Sequence, residues 1–355
     1  MTARPKKPVR VMIVEDSAVV RTLLTHIIDA DPRLTVALAV ASAEEALEVL
    51  EEVKPDVISM DIRLPGIDGL EATRRIMAEH PTPIVVIADS VEDSLKISLN
   101  ALRAGALTVV EKPAGLASQA YDALADDIRT QLFIMSSVPV IRRRAIGASL
   151  AAVRPAPPQL DTPPFQKMSV LGIAASTGGP PALAKVIGAL PADFPAPILL
   201  VQHMGAPFME GFASWLGGLS PLPVSIAQAG EVAQPGRVYV APGDRHLALR
   251  AGGTLMVSET APVGGQRPSA NVLFQSMAKT IGARGVGVLL TGMGEDGARG
   301  LLELRNAGGC TITEHESSTV VYGMPGAAVR MGASRASLPL DMIGPRLVQM
   351  AEEKA

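Results

Sequence analysis

Twice along this chain, short β-branched runs that end in a polar residue alternate with stretches of helical period. This alternation is the tightest constraint on the fold. A brief apolar run bounded by turn signals reads as a strand buried on both faces, and a helix between two such runs carries the chain to a parallel neighbour. In the first half the strand candidates are Val9–Val14, Leu34–Val40, Val57–Met60, Ile84–Ala88 and Thr108–Val110. The helix candidates between and after them are Ala18–Asp29, Ala43–Glu52, Leu70–His80, Glu92–Ala104 and Ala117–Met135. Such a series predicts a doubly wound α/β sheet, whose ligands sit at the carboxyl ends of the strands.

The texture changes at 136–167, where PAPP and TPP pieces interrupt any period and favour extended backbone. This stretch reads as a linker between a domain at 1–135 and a second at 168–355, with Arg142–Arg144 as a solvated or docking face. The second half repeats the α/β pattern. Its strand candidates are Val170–Ala174, Ile198–Val201, Val224–Ala227, Val238–Val240, Gly285–Leu290 and Cys310–Thr313. Its helix candidates are Pro180–Ala189, Asn271–Ile281 and Ala298–Asn306, and Leu247–Val257 reads as a β-hairpin around Gly252-Gly253. With 355 residues, 48% of them hydrophobic, the chain can bury two cores. A net charge of −3 gives no reason to expect nucleic acid. A lone cysteine, Cys310, fits a reducing cytoplasm. No run approaches the ~18 apolar residues of a membrane span, so no membrane insertion is expected. The run VMIV near the start is too short for a signal-peptide core.

In the first half, strand one runs into Glu15 and Asp16, strand three into Asp61, and strand five into Lys112-Pro113. In a doubly wound sheet these ends share one edge. Three carboxylates gathered there repel one another unless a cation sits among them, and oxygen donors with open positions suit Mg²⁺. Lys112 can neutralise a phosphoryl oxygen, and a carboxylate beside a metal can attack phosphorus. IVEDSAVVRTLL, SMDIRLPGIDGLEA and ALRAGALTVVEKP resemble the receiver domain of two-component response regulators, over about residues 8–130. The resemblance implies a flavodoxin-like fold, phosphorylation at Asp61, Mg²⁺ on Glu15, Asp16 and Asp61, and a phosphoryl contact from Lys112. Ala88 stands where receivers usually carry Ser or Thr, and Ser90 lies two residues on.

In the second half, LGIAASTGGP puts a hydroxyl at the mouth of a strand, among small residues. The stretch fits a nucleophile on a tight turn, an anion nest at a helix N-terminus, or a turn without chemistry. A serine nucleophile needs a base, and the base an orienting acid. Five histidines are available. His26 and His80 read as surface residues of the first half. His246 falls in the polar turn APGDRH, and His315 in a loop flanked by glutamates. His203 follows ILLVQ and so shares a strand-end edge with Ser176. VGVLLTGMGEDG delivers Asp296 to the same edge, where it could also cap the helix that follows. Glycines around Met293 let backbone N–H groups approach an oxyanion.

GIAASTGGP, ILLVQHM, GRVYVAPGDRHL, RPSANVLFQSMA and VLLTGMGEDGARG resemble the catalytic domain of the protein-glutamate methylesterases of bacterial chemotaxis, the CheB family, over about residues 168–350. With a receiver in front, the whole chain resembles that family's architecture. The resemblance implies a Rossmann-like esterase domain with a hairpin, Ser176 as nucleophile, His203 as base and Asp296 as orienting acid. It also implies an oxyanion hole at Thr177 and Met293, and no cofactor for ester hydrolysis. The implied substrate is a γ-glutamyl methyl ester on methyl-accepting chemoreceptors, with receptor glutamine deamidation as a second activity. The implied partner is a CheA-type histidine kinase, whose phosphotransfer to Asp61 relieves a block by the receiver. Ala174 and Asn271 depart from residues frequent in the family, and neither position touches the triad in this reading. A receptor-docking adaptor without catalysis, and an esterase for other substrates, stay open on the residues alone.

Overall fold

The structure is a computed structural model that describes residues 7–88, 101, 104–112, 121–138 and 168–352. The chain forms two compact units, Met1–Ala151 and Ala152–Ala355. The expected helix Glu92–Ala104 falls almost wholly outside the described residues. So do Ser90, Arg142–Arg144 and the expected linker from 139 on.

The described residues of the first unit form five parallel strands: β1 (Val9–Val14), β2 (Leu34–Val40), β3 (Val57–Met60), β4 (Ile84–Ala88) and β5 (Thr108–Glu111). Their order is β2-β1-β3-β4-β5, the flavodoxin-like arrangement. Every residue of β3 and β4 is buried, as the unbroken apolar runs predict for a sheet covered on both faces. Helices α1 (Ala18–Asp29), α2 (Ala43–Val53) and α3 (Gly69–Glu79) each start where a short polar side chain satisfies a free N–H. Ser17, Ser42 and Asp68 accept from Val20, Glu45 and Glu71. Helix α4 spans Tyr121–Met135.

The second unit has a seven-stranded parallel sheet in the order β14-β13-β12-β6-β7-β9-β8. These are β6 (Val170–Ala175), β7 (Ile198–Gln202), β8 (Val224–Ile226), β9 (Val238–Val240), β12 (Gly285–Leu289), β13 (Cys310–Glu314) and β14 (Ala336–Leu338). The antiparallel hairpin pairs β10 (His246–Leu249) with β11 (Leu255–Ser258). The helices are α5 (Gly179–Gly188), α6 (Met209–Gly217), α7 (Ala270–Thr280), α8 (Ala298–Asn306), α9 (Met324–Arg330) and α10 (Leu340–Glu352). Leu247, Leu273, Phe274, Met277, Leu289 and Leu301 form part of one buried core that joins hairpin, helices and sheet. Each such side chain contributes roughly 1.5–3 kcal/mol on burial. β6 is the first strand of this sheet. The chain builds outward from it through β7 to β8 and β9, then returns to its other side for β12 to β14. The order reverses between β6 and β12, so a crevice opens at their carboxyl ends.

Candidate active site

Ser176 follows β6 directly, at that crevice. Its backbone N–H donates to the Thr291 carbonyl beyond β12, at 3.0 Å. On the other flank, β6 and β7 pair with Ala175 opposite Gln202, and the His203 N–H donates to the Ala175 carbonyl at 3.0 Å. Ser176 and His203 are therefore the next pair of the same register, on strands about 4.8 Å apart. Gln202 ties them further. Its side-chain amide donates to the carbonyls of both Ser176 (2.9 Å) and His203 (2.8 Å). The turn after Ser176 needs its glycines: Gly178 has φ +75°, and a Cβ on Gly179 would lie 2.1 Å from Gln202 Oε1.

His203 Nε2 lies 2.9 Å from Asp296 Oδ2, and both side chains are nearly enclosed. Burial pushes the Asp296 carboxyl up, but hydrogen bonding and charge from His203, with Ser269 and the Ala270 N–H, outweigh it and hold the group below the ordinary aspartate range. Asp296 is thus a carboxylate, and the imidazole proton sits on Nε2, facing it. Nδ1 is left buried and without a hydrogen-bond partner. Asp296 accepts three more bonds, from Ser269 Oγ–H (2.7 Å), Ala270 N–H (2.6 Å) and Asn271 N–H (3.2 Å). All four lone-pair sites of the carboxylate are used. Two of the donors are the first N–H groups of α7, whose dipole favours an anion there.

Three sequence expectations need correction. Asp296 does not cap the helix after it: α8 starts at Ala298 behind Gly297 as N-cap, without a side-chain cap bond, and the carboxylate caps α7 instead. His246 does not belong to the polar turn APGDRH. It opens β10 fully buried, with Nδ1 accepting from the Ser269 N–H (3.2 Å) and Nε2 meeting the Ala261 carbonyl (3.1 Å). Asn271 does touch the site, through its backbone N–H, while its side chain accepts from Gly300 N–H at 2.8 Å. His26, His80 and His315 are exposed, as expected. Thr177 is buried, its carbonyl accepting from Thr291 Oγ1–H at 3.0 Å; Met293 is 51% exposed on the turn after β12. Behind Thr291 lies a group that sequence reading missed. Glu314, at the end of β13, is fully buried and accepts from the Thr291 N–H (2.9 Å) and the Ser318 hydroxyl (3.0 Å). Burial, only partly offset by these bonds, raises its carboxyl above the ordinary range.

At the carboxyl edge of the first sheet, Glu15, Asp16 and Asp61 hold carboxylate oxygens within 4.8 Å of one another. This donor set fits Mg²⁺. Lys112 Nζ sits 2.9 Å from both Glu15 Oε2 and Asp61 Oδ2. Burial works against its ammonium, yet hydrogen bonds to the two carboxylates outweigh it and raise the Lys112 pKa. The Glu15 carboxyl is pushed up, by burial first and by the charge of Asp61. Ala88 ends β4 buried at this edge, and its carbonyl accepts from the Lys112 N–H at 2.9 Å.

The profile of the CheB methylesterase family matches residues 171–347, and that of the response regulator receiver domain matches 11–120. A protein-glutamate methylesterase/protein-glutamine glutaminase 2 of Paramagnetospirillum magneticum is 51% identical over 347 residues, covering 98% of each chain. The chain belongs to the CheB methylesterase family. A relative with the same activity name from Myxococcus xanthus is 46% identical over 96% of each chain. The crystal structure of the Thermotoga maritima CheB methylesterase catalytic domain matches with a TM-score of 0.51 at 36% identity, covering 52% of this chain and all of that one. The second unit is accordingly a hydrolase domain, joined to a receiver. Among the described residues, no helix is long and apolar enough to cross a membrane.

Proposed function

We propose that the chain is a cytoplasmic, phosphorylation-regulated hydrolase that removes methyl esters from glutamates of chemoreceptors and deamidates receptor glutamines. The observation that carries this reading is the 2.9 Å His203–Asp296 pair beside Ser176 in strand register.

Ser176 Oγ attacks the ester carbonyl carbon while His203 Nδ1 takes the hydroxyl proton. The lone pair at Nδ1 is available because Asp296 fixes the proton on Nε2. As the ring gains charge, the buried carboxylate stabilises it. Backbone N–H groups at Thr177 and Met293 receive the oxyanion. Collapse of the tetrahedral intermediate expels methoxide, which takes the proton from His203 and leaves as methanol. Water then attacks the acyl-serine, giving its proton to His203, and the glutamate carboxylate is released with Ser176 restored. A glutamine substrate follows the same path with ammonia as the leaving group. No step calls for a metal.

The receiver supplies control. Glu15, Asp16 and Asp61 are the residues that would hold Mg²⁺, which when bound offsets negative charge on a phosphoryl group. Asp61 accepts the phosphoryl group from a CheA-type histidine kinase, and Lys112 meets a phosphoryl oxygen. Receptors and kinase are thus the partners of this reading. The receiver restrains the hydrolase until Asp61 is modified; a shift of ~1–3 kcal/mol is enough for such coupling. The test is methanol release from methylated receptors, with and without a small phosphodonor, beside Ser176→Ala and simple alkyl esters. The expected result is release that rises with phosphodonor and disappears in Ser176→Ala. Equal turnover in Ser176→Ala, or indifference to the receptor, would sink the reading.

A further inference from the structure

His246 is a buried imidazole that the reaction above does not use. Burying a ring with two polar nitrogens is costly unless both are satisfied. Here they are satisfied by the Ala261 carbonyl at Nε2 and the Ser269 N–H at Nδ1, so the proton sits on Nε2. Ser269 stands at the N-cap of α7, yet its hydroxyl makes no cap bond. The hydroxyl goes to Asp296 instead, and the next two N–H groups point the same way. Residues 269–271 thus supply three of the four donors on the acid, and the chain enters this triplet through the N–H that His246 holds. β10 is tied to α7 at its other end as well: Leu249 N–H donates to Ser276 Oγ (2.9 Å), and Thr280 Oγ1–H donates to the Leu249 carbonyl (3.1 Å). Of these ties, the one at His246 adjoins the acid.

We propose that His246 is a positioning residue for the hydrolase reaction: it fixes the Ser269–Asn271 cradle so that Asp296 presents Oδ2 to His203. This inference rests on the reading of Asp296 as the triad acid. A leucine in its place would leave the Ser269 N–H and the Ala261 carbonyl unpaired, and the cradle would relax by some tenths of an ångström. An asparagine keeps an acceptor near the Nδ1 position; a glutamine reaches toward the Nε2 position and leaves Nδ1 unfilled.

The experiment uses the full chain and methanol release from methylated receptors. Wild type, Ser176→Ala and Asp296→Asn come first. If activity survives both substitutions, the triad reading has failed and the proposal falls with it, before any His246 variant is made. With the triad in place, His246→Leu is expected to lower kcat about 10- to 100-fold, as small misplacements of a catalytic group do. KM should stay within about twofold, because no substrate contact is removed. His246→Asn should recover most of the loss and exceed His246→Gln at matched melting temperature. Ser276→Ala, which cuts the distal tie, should lower the melting temperature and leave kcat in place. In the Asp296→Asn background, His246→Leu should cost less than about threefold more, because both act through one carboxylate. Losses that multiply fully in that background overturn the proposal. So do equal kcat values for the Asn and Gln variants, or a kcat loss in Ser276→Ala matching that of His246→Leu. Should His246→Leu not fold, the Asn–Gln comparison carries the same decision.

Discussion

Replacing Asp296 with asparagine changes one oxygen to an NH₂ group, and the four donors around the carboxylate decide how the site responds. With the NH₂ at the Oδ2 position it faces His203 and the Ala270 N–H. The imidazole must then accept at Nε2 and carry its proton on Nδ1, where the base is needed; a wrong tautomer of this kind costs about 10⁴ in kcat. With the NH₂ at the Oδ1 position it faces Ser269 Oγ, which can turn to accept, and the Asn271 N–H. The tautomer survives there, but the imidazolium loses its counter-charge. At 4 Å and an effective dielectric constant of 20 that attraction is about 4 kcal/mol, or roughly 10³ in rate. The two orientations bracket the loss between about 10³ and 10⁴. Either one leaves a buried backbone N–H unpaired, which costs about 1–3 kcal/mol of stability. Methanol release at saturating methylated receptor reads the first effect, and denaturant unfolding of the purified chain the second. A folded Asp296→Asn protein with kcat within about tenfold of wild type would refute the assignment of Asp296 as the orienting acid.

Other outcomes rest on the same geometry. Gly292→Ala places a Cβ 2.7 Å from Ser176 Cβ and 2.3 Å from Met324 Sδ; the methionine can yield, the serine backbone cannot, so kcat should fall about 100-fold, and an unchanged kcat would argue against this packing. Glu314 has a folded pKa raised by burial, so its contribution to stability is full below the ordinary carboxyl value of about 4.3 and is lost as pH rises through the folded value. Glu314→Gln should therefore melt higher than wild type at neutral pH and lose that advantage in acid; a constant difference across pH would contradict the sign. Phosphoryl labelling by a small phosphodonor should need Mg²⁺ and vanish in Asp61→Asn, and label persisting in that variant would place the acceptor elsewhere.

The strand ends carried most of what could be read before the fold was known. β1 to β4 begin and end where the apolar runs do, and Ser176, His203 and Asp296 come to one edge because parallel strands share a direction. Short or compromised elements were harder. β14 has three residues, α9 contains Pro325 and Gly326 in a seven-residue span, and α10 carries Pro345 inside it. α6 is apolar on several faces and gives little periodic contrast. The supports of the acid were hidden for a different reason. Asp296 and Ser269 lie 27 positions apart, and Ser269 and His246 lie 23 apart, so no local pattern joins them. Ser269 stands directly before α7, yet its hydroxyl leaves the helix for the carboxylate, which nothing next to it in the chain announces. Glu314 reads as one of the glutamates flanking an exposed loop at His315; only the third dimension shows it at the end of β13, closed off behind Thr291.

The pairing of Ala175 with Gln202 fixes the backbone spacing of Ser176 and His203 by the sheet ladder itself. Those two backbones cannot be drawn apart without sliding β7 along β6, and a slip of one residue would turn every buried side chain of the strand the wrong way. The backbones that carry the attacking pair stay locked like teeth of one gear. A control acting on the proposed triad would then have to work on the arm that brings Asp296, since the two backbones held by the ladder have no slack to give.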